Sequence, residues 1–307
     1  MRFLIGFILL LALGWSGYWW VGARAQRQAL ETGVVSLNDA GYRIGYESHD
    51  LRGFPNRFDN RFTDLRVVSD AWSWLADGFH AYALSYQPNH IILEFLGEHH
   101  VSLGDIGMRF SAEEALASLI LRADTDDALK EAIFEAKEAV ISFAEDATIQ
   151  PARMQLSLRE AERGYDFWLE IEDMLIPPVG EGLSNRIARI RMSGNLPGEA
   201  RIGRDMLQSG LRFERIDYSS IEILWDEMSA TGDGAIWDLS GEPEGGAELQ
   251  LKDWQGFLPV VQNWAGLSDA SLRIFEVLME MQDGRFVMSL KDGRLSFDYT
   301  PISFSLY

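Results

Sequence analysis

The residue types best suited to hold a metal are His90, Glu94, Glu98, His99 and His100, gathered in one short stretch. Zinc sites are built from imidazole with carboxylate or thiolate ligands at ordered spacing. The spacing here works against one shared ion, because neighbours such as His99 and His100 point to opposite faces of a strand. These residues read as polar groups around a solvated turn. A second candidate, "RADTDDA", brings Asp124, Asp126 and Asp127 together as a calcium loop begins, but it lacks the glycine at position six. It reads as an acidic turn. Trp225, Trp237, Trp254 and Trp264 are able to line a ligand groove, although in a β-rich chain such rings more often fill the core. Carboxylates are abundant enough for glycoside chemistry, yet no spacing singles out two of them. The chain carries no G-x-G-x-x-G, Walker, G-x-S-x-G or H-E-x-x-H pattern and no cysteine. The expectation is a non-catalytic protein with no catalytic residue, no cofactor and no metal.

Composition narrows the partners. There are 47 acidic and 27 basic residues among 307, a net charge of -20. Such a surface repels phosphate backbones, so nucleic acid is excluded as a partner. With 47% hydrophobic residues the chain has enough apolar material for a sizeable core.

The elements that position these residues begin with "FLIGFILLLALGWSGYWWV", residues 3 to 21, which is uncharged. As a helix it measures about 28 Å, close to the hydrocarbon thickness of a bilayer. Trp15, Tyr18, Trp19 and Trp20 crowd its C-terminal end, where amphipathic rings favour the membrane interface. "Ala23-Arg24-Ala25" resembles a signal-peptide cleavage site, but the apolar run is longer than the usual signal core. Residues 1–21 are therefore expected to be an uncleaved transmembrane anchor, 22–41 a juxtamembrane helix stopped by Gly41, and 42–307 an extracytoplasmic β-rich domain. That places the protein in the inner membrane as a single-pass chain with its bulk in the periplasm.

Beyond residue 42 the period becomes two. "YRIGYESHD" alternates, then Gly53-Phe54-Pro55 forms a structural corner, and Phe58 and Phe62 share a face. At Leu65 the apolar parity switches, which suggests a bulge. Short strands are expected throughout, including 132 to 142 as one strand and 211 to 216 and 221 to 225 as two. The Ala, Glu and Leu content of residues 112 to 145 favours at least one helix there, although "SLILRAD" and "AVISF" also fit strands. Two helices are expected near the C-terminus, one through Phe257, Val261 and Trp264 and one through Leu272, Phe275 and Met279. The chain then turns at Asp292-Gly293, a type I′ hairpin signature between Phe286, Met288, Leu290 and Leu295, Phe297, Tyr299. The fold class is mainly β (α+β). A transmembrane helix precedes a large curved antiparallel sheet, either an open groove or a folded-over sandwich, with a few packed helices.

The anchor, "LRGFPNRFD", and "GAIWDLSGEPEGGAELQLKDWQGFL" followed by two helices and "KDGRLSFDYTP" resemble the uncharacterised bacterial envelope family called domain of unknown function 2125. The β pattern also resembles, in architecture, the AsmA-type envelope proteins, whose curved sheets form apolar grooves and whose members are linked to lipid transport. An apolar-rich, β-patterned chain tethered by a single span leads to the expectation of an envelope protein that binds a lipid or other apolar ligand. The alternative is an assembly protein with a closed core that docks an envelope protein partner.

Overall fold

The computed structural model describes residues 2–70, 72–104, 106–123, 128–144, 147–178, 183–198, 201–203, 213–239, 242–259, 262, 269–297 and 303–305. Helix α1 (Arg2–Asp39) is continuous through both the apolar run and the segment after it. Its most apolar window is not buried by the rest of the chain. Gly41, at φ 95°, ends it.

The remainder is an antiparallel meander in which successive ranks pair, some ranks being split into two short strands. β1 (Arg43–Gly45) and β2 (Ser48–Arg52) both pair with β3 (Arg57–Val68). β4 (Trp72–Leu84) and β5 (Gln87–Leu103) follow. Two ranks are then split into pairs of shorter strands. β6 (Ile106–Ser111) and β7 (Glu114–Leu121) lie along β5, and β9 (Val140–Ala144) and β8 (Leu129–Lys137) lie along them in turn. The long β10 (Ala147–Glu160) pairs with both β8 and β9. From there β11 (Tyr165–Leu175), β12 (Arg186–Leu196), β13 (Arg215–Trp225), β14 (Met228–Trp237) and β15 (Glu244–Lys252) continue in order. β16 (Arg285–Lys291), β17 (Arg294–Phe297) and β18 (Ser303–Ser305) complete a single 18-stranded sheet.

Three local expectations are corrected. No helix forms in the described part of residues 112 to 145, where β7, β8 and β9 run instead. Ala115, Ala117 and Leu119 lie on one face there, but Leu116 and Ile120 on the other blur the alternation. Pairing with β5 and β10 overrides the helical propensity of the composition. The stretch 132 to 142 is two strands, broken around Glu138 at φ 47°. Residues 215 to 225 form one strand, with a register shift between Tyr218 and Ile221 where two were expected. The parity switch near Leu65 falls at Asp64, φ 48°, and the β4–β5 register shifts at the same level.

At the C-terminus, a 3-10 turn (Trp254–Phe257) opens the first helical segment, of which little beyond is described. Helix α2 (Asp269–Met281) is the second. Phe275 and Met279 face inward and bury Trp225, Met228 and Leu251 together with Trp254. Trp264 and Tyr299 lie outside the described residues.

Candidate functional site

Residues opposite one another across a ladder share a face of the sheet. Following opposite partners from β3 to β16 traces one row: Asn60, Ala81, Leu93, Ala117, Phe134, Leu156, Leu169, Met192, Ile221, Gly232, Leu249 and Phe286. Only Asn60 among them is polar. At roughly 4.8 Å per strand, the row from Ala81 to Leu249 runs about 43 Å across the sheet.

The row lies between two packed margins. Along one, Leu129, Tyr165 and Leu196 are buried under Ile202 and Phe213. Along the other are Met174, Ile187, Trp225 and Leu251, covered by the C-terminal helical segments. Between the margins the face stays open. Leu156 is 38% exposed, and Leu169, Met192, Ile221 and Leu249 are only half-buried. Among the described residues, these five join none of the packed apolar clusters.

On the open face, strands β12 to β15 approach one another unusually closely. At Gly194, Gly232 and Gly234 a carbonyl oxygen of the neighbouring strand (of Asp217, Glu248 and Gly246) stands where a β-carbon would need to be. Only glycine leaves room for so close an approach. The outer face is charged. Arg159–Glu131 at 3.1 Å, Lys137–Glu114 at 3.1 Å, Arg189–Glu222 at 2.9 Å and Arg191–Glu170 at 2.5 Å bridge successive strands.

At its N-terminal end the row enters a cavity of about 520 Å³ between α1 and the sheet. Ala29, Leu30, Val34 and Leu37 of the helix face Phe62, Leu65, Phe79, Ala83 and Ile91 across it, and Asn60 and Ala81 of the row lie in its wall. This volume falls in the range of small-molecule sites. The polar Asn60 is satisfied in place: its amide donates to Gln26 of the helix at 3.1 Å, and its oxygen meets His49 Nε2 at 3.0 Å.

The aromatic cluster of α1 packs on the corner. Trp15 Nε1 donates to the Pro55 carbonyl at 2.9 Å, Trp19 Nε1 to that of Arg57 at 2.7 Å, and the Tyr18 hydroxyl to that of Ser85 at 2.6 Å. Phe54 meets Trp19 edge-on, and Phe58 stacks on it. Trp20 points away, exposed, with Arg24 over its ring at 6.0 Å. Asp292 and Gly293 form the two-residue turn between β16 and β17.

The structure disperses the metal-like cluster. His90 bonds Ser118 at 2.9 Å, His100 pairs with Glu98 at 2.6 Å, and His99 is buried on the apolar face beside Trp74 and Phe110. Glu94 instead joins His80 and Tyr82 on the outer face, with His80 Nδ1 3.0 Å from its carboxylate and the Tyr82 hydroxyl donating to it. Burial, followed by that hydrogen bond, pushes the Tyr82 phenol up to about 12. Burial raises Glu94, but the bonds from Tyr82 and His80 outweigh it and hold the carboxyl below its ordinary range. A phenol so hard to ionise and a carboxylate so fully engaged tie β4 to β5. Among the described residues, no group of three or more His, Asp or Glu is placed to hold a metal. Asp124, Asp126 and Asp127 lie outside the described residues. Trp225 and Trp254 are core, while Trp237 is exposed under Arg215.

The family model for uncharacterised proteins conserved in bacteria, DUF2125, matches residues 19–297. The chain belongs to this family. In this DUF2125 chain the match begins inside α1, at Trp19, and takes in the cavity, the row and the C-terminal hairpin. No curated protein and no solved structure matches it.

The corner and the aromatic cluster are legible in the sequence, but the row is not. Its residues were visible one strand at a time as period-two alternation. Their alignment was not, because it depends on eleven separate registers.

Proposed function

We propose that this protein is anchored in the inner membrane by α1, stands on the periplasmic side, and holds the acyl chains of a bilayer lipid in its apolar trough without catalysing a reaction. The observation that carries this reading is the row of apolar residues left half-open from β10 to β15 and in line with the cavity beside the helix. A soluble monomer rarely leaves so long an apolar strip to water. Acyl chains suit it, since the strip offers length and apolar contact and almost no hydrogen-bonding group.

An uncleaved anchor is supported by packing. Ala23 is buried against Leu51 and Phe58, and a β-carbon at Gly22 would stand 2.6 Å from Phe58 Cζ. Cleavage at Ala23-Arg24-Ala25 would strip Trp15, Tyr18 and Trp19 from the corner they bond. The test is native mass spectrometry of the full chain released from lipid nanodiscs. Lipid adducts of defined stoichiometry are expected; a protein recovered only empty under gentle activation sinks the reading.

A further inference from the structure

We infer that the corner at Gly53–Pro55 and the β4–β5 turn at Ser85–Tyr86 are seated in the lipid interface, so that the sheet stands directly on the bilayer. The inference rests on the anchored reading of α1 and is independent of what fills the trough.

The argument is one of depth. The uncharged run is bounded by Arg2 and Arg24, and its 19 residues from Phe3 to Val21 are all needed to cross a hydrocarbon core about 30 Å thick. Trp15 lies six residues, about 9 Å, before the end of that run, and Tyr18 three residues, about 4.5 Å. The polar atoms of these two side chains are bonded to the carbonyls of Pro55 and Ser85. Placing the run in the bilayer therefore carries the corner and the turn down to the level of its outer edge. The side chains they present are of the kind that level selects: Phe54 is 58% exposed and Tyr86 63% exposed. In water such rings are a cost, whereas at a membrane interface amphipathic and aromatic rings are favoured. The cavity reaches the same place, since Ala83 and Pro88 line it on either side of the turn. Its lower end would then open against lipid.

The chain has no cysteine, so a single introduced one can be labelled without background. Phe54→Cys, Tyr86→Cys, Leu9→Cys and Asp70→Cys variants of the full chain would carry an environment-sensitive nitrobenzoxadiazole dye. They would be reconstituted in phosphatidylethanolamine–phosphatidylglycerol vesicles with and without doxyl-labelled lipid. Asp70 is exposed in the turn after β3, about 40 Å of strand away from the corner, and serves as the water reference. Labels at 54 and 86 are expected to emit further to the blue than at 70 and to be quenched several-fold more by doxyl lipid. Should they behave like 70 while the label at 9 is shielded, the anchor stands and this inference fails. Should 9 also report water, the anchored reading fails and takes the inference with it. Tyr86 lies outside the corner, so its label reads the interface even if the Phe54 variant folds poorly.

Discussion

At Gly53, φ is 100° and a β-carbon would lie 2.7 Å from the Arg57 carbonyl oxygen. Gly53→Val is expected to lower stability by about 1–3 kcal/mol, read as a reduced melting temperature of the detergent-solubilised protein. His99 supplies a second prediction at this scale. Burial, only partly opposed by Asp77 and reinforced by His100, holds its imidazole below the ordinary value of 6.5. Its Nδ1 accepts from the Trp74 indole at 3.2 Å. A depressed folded value means that unfolding takes up a proton once the pH falls below 6.5, so stability is full above 6.5 and declines as the medium is acidified through the folded value. Denaturant midpoints between pH 7.5 and about 5 should show this fall, and His99→Gln should flatten it. The corner was legible in the sequence because Gly and Pro constrain their own backbone. The burial of His99 was not, because Trp74 and Phe110 reach it from other strands. Local backbone chemistry also shapes the charge. All eight non-glycine residues with positive φ among the described residues are acidic, seven of them Asp, a residue that tolerates the left-handed region.

Helix α1 changes its surroundings along one continuous element. Residues 3–14 are exposed along their whole length, and from Trp15 onward the helix packs on the corner, β2, β3 and β4. Trp19→Ala removes one hydrogen bond and two ring contacts, about 2 kcal/mol together. The loosened helix should be cut faster by trypsin at Arg24 and Arg27, while the sheet keeps its far-ultraviolet circular dichroism. Unchanged cleavage would mean that the helix is held by its later turns alone. Helix α1 and the β16–β17 hairpin were legible because their signals are local: a long apolar run, and Asp-Gly between alternating strands. The region 112 to 145 is ambiguous in sequence because Ala, Glu and Leu are helix formers, and only the flanking β5 and β10 decide for strands.

For the whole molecule, the decisive feature is a sheet whose two faces differ in kind, with cross-strand ion pairs outside and an unbroken apolar row within. Leu156 stands at the most open described point of that row. Leu156→Asp should leave the fold intact, since the side chain is partly solvated already, and reduce co-purified lipid about tenfold, the equivalent of about 1.4 kcal/mol. Equal lipid content in parent and variant would place any lipid elsewhere. The sequence by itself determined the apolar run, the corner, the final turn and the two-residue alternation, since each follows from a residue and its immediate neighbours. Only the tertiary structure decided that these alternations align across the sheet, pack at both margins and stay open along the middle. Register is set by pairing between distant strands, and a slip of one residue in any ladder would turn its apolar residues to the charged side.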